Sequence, residues 1–210
     1  MPKESYTTFG LDIGLTKLLE GIPDGRYVDI GCWEPQEYSN TYALYQRGWK
    51  GVGVDPNPTF APKWAELRPK DTFLNCAVGE AGTAKYYMYD YSMANTIVPS
   101  NIVARASKEW KLEQVIDVPV RTLESIFEEL SPVHLLCLDA EGHDLEILRT
   151  NHWGAYRPWV IVVEDYDFEI GKKRPEIAQF MRDKSYFPLM DYYVDTVYLE
   201  ANFFRRFKAL

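Results

Sequence analysis

Short apolar runs alternate along this chain with segments whose apolar positions recur at helical spacing. The strand-length runs are residues 27–30, 51–54, 72–77, 133–138 and 159–163. Between them, residues 38–47, 59–67, 122–130 and 145–150 carry the helical period. The last of these follows Glu141-Gly142-His143-Asp144, and acids suit a helix N-terminus. Runs that are nearly continuous in Val, Ile and Leu predict strands buried on both faces. The expected class is α/β, a mostly parallel sheet with helices on both faces.

Residues 79–119 break this rhythm. Residues 85–89 predict one more strand, and 92–105 are polar and read as irregular. That stretch is either a substrate loop over a site or an ordinary surface connection. Near the end, 186–190 and 194–199 flank Asp191-Tyr192-Tyr193 and predict a closing antiparallel hairpin. Phe203-Phe204-Arg205-Arg206-Phe207 is expected to pack back on the domain or to meet a partner. With no repeat, linker or low-complexity tract, residues 1–210 are expected to form a single domain. Its N-terminal segment, 1–24, is expected to be helical, and 79–119 is an inserted strand and loop.

Chemistry enters at two strand ends. Tyr27-Val28-Asp29-Ile30-Gly31 closes in an acid and a glycine, and Val52-Gly53-Val54-Asp55 closes in a second acid. This arrangement suits a nucleoside at the C-terminal edge of a parallel sheet, with a ribose-binding carboxylate about 20 residues on. The bland alternative is that Asp29 caps the next turn and that Asp55 opens the turn Asp55-Pro56-Asn57-Pro58.

Bulk composition narrows the partners. The 210 residues carry a net charge of −8, which argues against nucleic acid. Aromatics make up 15% of the chain, including 15 Tyr and 6 Trp, a supply of rings for core or for stacking. The three cysteines, Cys32, Cys76 and Cys137, lie in apolar contexts and read as reduced cytosolic thiols. No signal-peptide core and no membrane span are expected, so the expected location is cytoplasmic. Nothing in the pattern sets an oligomeric state.

A dinucleotide would require further glycines after Gly31, to admit a pyrophosphate at a helix N-terminus. Cys32-Trp33-Glu34-Pro35 stands there instead, with Trp33 filling space and Glu34 expected to repel phosphate. S-adenosylmethionine carries no phosphate. Asp29 can face its cationic amino-acid head, Gly31 allows close approach, and Asp55 can accept both ribose hydroxyls. Residues 75–78, including Asn75 and Ala77, end a strand where an adenine edge would lie.

At this point the chain resembles a known family. Asp29-Ile30-Gly31-Cys32, Ser39-Asn40-Thr41-Tyr42, Gly48-Trp49-Lys50-Gly51 and Asp55-Pro56-Asn57-Pro58 look like the FkbM family of S-adenosylmethionine-dependent methyltransferases. So do Leu138-Asp139-Ala140-Glu141-Gly142-His143-Asp144 and Arg157-Pro158 leading into Val162-Val163-Glu164. The resemblance covers about residues 25–165. It implies a seven-stranded, Rossmann-like class I methyltransferase fold. It also implies O-methylation of a sugar, a polysaccharide or another natural product. Carried onto matching positions, the cofactor set is Asp29, Gly31, Cys32, Ser39, Asp55, Asn75 and Ala77. The loop departs from the commoner family pattern, with Trp33 and Pro35 near places where that pattern has an asparagine and a glycine.

Methyl transfer to a hydroxyl needs alignment and a way to remove a proton. Asp139, His143 and Glu164 are the candidate chemical residues, with His143 or Asp139 as base. A second possibility is a Mg²⁺ cradle of Asp139, Glu164 and Asp165 that binds the acceptor hydroxyl. Glu141 and Asp144 read equally well as complements to the next helix's N-terminus. A sugar or glycan acceptor would meet Tyr87, Tyr89, Tyr91, Asn95, Arg105 and Trp110. The rival readings are a non-catalytic cofactor-binding scaffold and an NAD-dependent sugar oxidoreductase.

Overall fold

The structure is a computed structural model that describes residues 5–106, 110–168 and 170–207, without the side chains of 103–106 and 206–207. In chain order the first half runs α1 (Leu11–Leu18), β1 (Arg26–Ile30), α2 (Tyr42–Gln46), β2 (Lys50–Val54), α3 (Ala61–Leu67), β3 (Thr72–Leu74), β4 (Ala77–Val78) and β5 (Gly82–Tyr89). There follow α4 (Pro99–Ala106), β6 (Leu112–Arg121), α5 (Leu123–Leu130), β7 (Leu135–Leu138), α6 (Asp144–Arg149), β8 (Val160–Glu164), β9 (Tyr166–Asp167), β10 (Lys172–Lys173), α7 (Pro175–Asp183), β11 (Tyr186–Tyr192), β12 (Asp195–Glu200) and α8 (Ala201–Phe207).

Seven strands form the main sheet in the order β11-β12-β8-β7-β1-β2-β3. Strands β8, β7, β1, β2 and β3 are parallel neighbours. Strand β12 runs antiparallel to both β8 and β11. From β1 the chain builds outward through β2 and β3, then returns to β7 on the other side. The gap above β1 and β7 is therefore the topological switch point, where open α/β sheets bind ligands.

Alternation along each strand divides the core into two layers. Val28, Ile30, Leu136, Leu138, Ile161 and Val163 pack against Leu123, Ile126, Phe127, Ile147, Leu148, Ile177 and Met181. Tyr27, Leu135, Cys137, Val160 and Val162 face the other way, onto Leu11, Leu15, Leu19 and Leu44. Helices thus cover both faces. Each fully buried Val or Leu contributes about 1.5–3 kcal/mol. The packed sheet is a stiff platform for the loops at its edge. Phe203 stacks on Trp159 and Phe204 on Phe187, so the aromatic tail packs on the domain.

Several segments differ from the sequence expectation. The run 72–77 breaks after Leu74. Asn75 Nδ2 bonds the Asp55 carbonyl and Cys76 N closes back on Leu74 O, so the chain leaves the main sheet. Ala77–Val78 then joins a separate sheet of order β4-β6-β5. The stretch 92–105 contains helix α4, which starts on Pro99. Proline suits a first helical position because it has no N–H to leave unpaired and its φ is preset. The helix expected over 38–47 shortens to Tyr42–Gln46, because Ser39 Oγ accepts from the N–H of both Thr41 and Tyr42 and holds the preceding residues in a loop. Among the described residues no helix is long and apolar enough to cross a membrane.

Candidate active site

The loops after β1, β2 and β7 enclose a cavity of about 240 Å³ at the switch point. Gly31 has φ +71°, and a Cβ there would stand 1.7 Å from the Asp139 carbonyl oxygen. The glycine is needed because two backbone segments meet at that point. Gly31 N and Cys32 N both donate to Val54 O, at 2.9 and 3.2 Å, which folds the β1 loop over β2. Trp33, at φ +44°, then donates its N–H to Asp55 Oδ2 at 3.2 Å. Its carbonyl accepts from Trp64 Nε1, and its own Nε1 donates to Ser92 Oγ, both at 2.9 Å.

The two acids at the cofactor end are buried and held by donors. Asp29 Oδ2 accepts from Thr41 Oγ1 at 2.6 Å. Asp55 Oδ1 accepts from Asn57 N at 2.8 Å. Burial pushes Asp29 up to about 6 and Asp55 up to about 7. Each keeps acceptor capacity, since a carboxylate offers about four lone-pair sites. Ser39, Cys32 and Ala77 also line the cavity. Asn75 does not; its side chain props the backbone of Asp55 from outside the lining. All three cysteines line the cavity as free thiols, and burial raises each, so they stay protonated.

Asp29, Asp55, Asp139, Glu141 and Asp195 all contribute to the lining, and among its described residues there is no Lys or Arg. A pyrophosphate would find repulsion on several sides, whereas a cation is matched. Glu34 is not part of this field. It turns away to an ion pair with Lys63, so the expected repulsion of phosphate by Glu34 is corrected to repulsion by the lining acids.

At the chemical end, Asp139 lies deep in the fold, yet its carboxylate opens into the cavity, where solvent reaches it. The surrounding protein raises its pKa, partly offset by a hydrogen bond from Glu164 and one from the Glu141 N–H. Glu164 lies behind Asp139, outside the lining. Burial, and then the charge on Asp139, push Glu164 far above the usual carboxyl range. Both carboxyls are thus pushed toward the neutral form, and the hydrogen bond between them needs a proton on one of the two. His143 is half-buried on the lining, and desolvation lowers its pKa. It is a neutral imidazole near pH 7.

Asp144 is a scaffold group. It accepts from Ala140 N at 2.9 Å and Gly142 N at 3.2 Å, and Arg174 Nη1 stands 3.6 Å away. These contacts hold Glu141 and Gly142 at φ +53° and +96°. Asp165 turns to Lys173 Nζ at 2.8 Å and to the Thr196 hydroxyl at 2.7 Å, away from Asp139. Asp139, Glu164 and Asp165 are thus not brought together. Among the described residues no group of three His, Cys, Asp or Glu side chains is arranged to hold a metal ion.

The acceptor wall differs from the expected aromatics. Tyr86, Met93, Asn95, Thr96 and Ile97 line the cavity, whereas Tyr87, Tyr89, Tyr91 and Trp110 do not. Strand parity separates Tyr87 from Tyr86 on β5, and a register irregularity between Met88 and Tyr89 interrupts the alternation before Tyr89. Tyr91 instead stacks on Trp110 at 5.4 Å. The Arg105 side chain lies outside the described residues. Asn101 Nδ2 donates to Glu141 O at 2.7 Å and ties α4 to the chemical loop. Thr41 and Arg68 were not foreseen. A lone arginine in a helical segment carries no sequence signal that separates it from a surface residue.

No curated protein matches the chain. Residues 20–188 match the methyltransferase FkbM domain. That match spans most of the chain, and by it the protein belongs to the FkbM methyltransferase family.

Proposed function

We propose that the protein transfers a methyl group from S-adenosylmethionine to a hydroxyl oxygen of a sugar or glycan. Family membership implies this cofactor as the usual one. The observation that carries the reading is the switch-point cavity lined by carboxylates, with no Lys or Arg among its described residues. That donor set fits a ligand with a cationic head, a sulfonium and a vicinal diol, and it disfavours a pyrophosphate.

S-adenosylmethionine, when bound, supplies an electrophilic methyl group on sulfur. In this reading Asp29 faces the cationic amino-acid end, and Asp55 accepts the two ribose hydroxyls. Ser39, Cys32 and Ala77 supply the walls. The neutral imidazole of His143 accepts the acceptor's proton as the oxygen–carbon bond forms. Glu164 keeps Asp139 in place at the end of β7 through the hydrogen bond between their carboxyls. Tyr86, Met93 and Ile97 beside Asn95 and Thr96 offer an apolar surface with polar groups at its edge, which suits a pyranose ring.

Calorimetric titration with S-adenosylmethionine, S-adenosylhomocysteine and NAD tests the cofactor, followed by incubation of methyl-labelled cofactor with a panel of sugars and oligosaccharides. Binding of the first two and label on the sugar are expected. Binding of NAD alone points to an oxidoreductase. Cofactor binding with no turnover on any hydroxyl points to a scaffold.

A further inference from the structure

Arg68 follows α3 and is 1% exposed, yet its guanidinium lies outside every role given above. All five of its N–H donors are used. Nε bonds Asp71 Oδ2 at 2.7 Å. Nη2 bonds the Tyr27 hydroxyl at 2.7 Å and Thr41 Oγ1 at 2.9 Å. Nη1 bonds the Pro35 carbonyl at 3.2 Å and Ser39 Oγ at 3.3 Å. The Trp64 ring covers the cation, with 4.2 Å from Cζ to the ring centroid.

The fork has two sides. Asp71 balances its charge and the Tyr27 hydroxyl anchors it to β1, which is enough to explain why a buried cation is tolerated. The other contacts all go to residues 35–41, the segment that supplies Tyr38, Ser39 and Asn40 to the cavity. Thr41 Oγ1 accepts from Arg68 and in turn donates a hydrogen bond to Asp29 Oδ2 at 2.6 Å. One hydroxyl therefore links the cation to the acid at the cofactor end. With Oδ2 engaged by Thr41, the Asp29 carboxylate is fixed in rotation and its remaining acceptor sites have a set direction.

We propose that Arg68 and Thr41 form a positioning relay that aims Asp29, and shapes the 35–41 loop, for the cationic amino-acid end of the cofactor. Neither residue touches the reacting atoms. The relay sets how tightly the donor is held rather than how fast the methyl moves. The proposal rests on the reading of the cavity as an S-adenosylmethionine site.

The test compares wild type with Thr41→Val and Thr41→Ser in the full chain. Affinity for S-adenosylhomocysteine is read by calorimetry, with kcat and KM for S-adenosylmethionine on an acceptor found above. Thr41→Val keeps the shape and removes the hydroxyl. It is expected to weaken S-adenosylhomocysteine about tenfold, the scale of a hydrogen bond to a charged group. KM for the methyl donor should rise in parallel, with kcat at saturating donor within about twofold of wild type. Thr41→Ser restores the hydroxyl and should recover the affinity, which a merely space-filling role would not require. If Thr41→Val is insoluble, Thr41→Ala replaces it. Equal affinity in wild type and Thr41→Val overturns the relay and leaves the cofactor reading intact. A fall in kcat with unchanged KM, or a Thr41→Ser variant as weak as Thr41→Val, overturns it too. Failure of wild type to bind S-adenosylhomocysteine removes the cofactor reading, and the relay falls with it.

Discussion

Asp29 and Asp55 are each gripped by donors from outside the pair, whereas Asp139 and Glu164 grip each other. The first two accept a threonine hydroxyl and two backbone N–H groups. The second two share a proton between carboxyl groups. All four lie deep in one fold and all four have raised pKa values. The difference lies in what compensates them. External donors offset part of the cost of burial and fix direction, which suits holding a cationic ligand. A hydrogen bond between two carboxyls needs a proton on one of them, so this pair holds at most one charge at the cavity edge, which suits a place where protons move. In the proposed reading, geometry at one end serves binding and at the other serves chemistry.

The largest effect that separates the two ends is expected from His143→Gln. Its kcat should fall by about 10²- to 10³-fold, the range for loss of a general base. Affinity for S-adenosylhomocysteine should stay within about twofold of wild type. Turnover that survives this change would remove His143 from the chemistry and dissolve the distinction between the ends. Asp55→Asn should do the reverse. One of the N–H groups of Trp33 and Asn57 then faces an amide in place of a carboxylate, and the diol loses a charged acceptor. Cofactor affinity should drop by about 30-fold, the scale of losing one or two charge-assisted hydrogen bonds. An Asp55→Asn variant that loses kcat but not affinity would assign Asp55 to the wrong end.

The smallest effect is in stability against pH. Asp29 is raised to about 6, and Asp55, Asp144 and Asp195 to about 7, chiefly by burial. The folded chain thus keeps protons that the unfolded chain gives up near pH 4. Stability from these groups is greatest at the acid end and falls as pH rises through 6 and 7. The melting midpoint of the cofactor-free protein should drop by a few degrees between pH 5 and pH 8. Asp29→Asn and Asp55→Asn should each flatten that slope. A midpoint that rises over the same interval would show that the cofactor-end acids are better compensated than their surroundings indicate.

The central strands were legible because β1, β2, β7 and β8 are buried on both faces, and continuous apolar runs leave little else to fold into. Strand β6 was missed. Its surface positions, Glu113, Gln114 and Asp117, dilute the apolar signal, and most of its residues remain exposed on a small outer sheet. Helix α7 was missed as well, because Arg174 and Pro175 look like loop until Ile177 and Met181 are seen buried. At the site, Asp29, Gly31, Asp55, Asp139 and His143 line one cavity as their places at strand ends implied. Tyr87 was expected at the acceptor wall where its neighbour Tyr86 stands, and on a strand one residue is the difference between facing the cavity and facing away. Arg68 was not legible at all, and Thr41 was read only as part of a family motif, with no role of its own. Their meaning depends on contacts with Asp29 and Tyr27, which lie on another element, and an arginine looks the same in sequence whether it ends up in solvent or in the core.

Gly31 meets the Asp139 carbonyl with no room for even a methyl group between them. The two loops belong to segments of chain more than a hundred residues apart, and in the proposed reading each carries one half of the reaction. They share a hard stop. A change that shifts the Asp139 loop toward β1 to fit a smaller acceptor must also displace the loop beside Asp29. In that reading the span from donor to base is a single built-in length, and an attempt to change the acceptor would have more freedom in the Met93–Ile97 wall than in either loop.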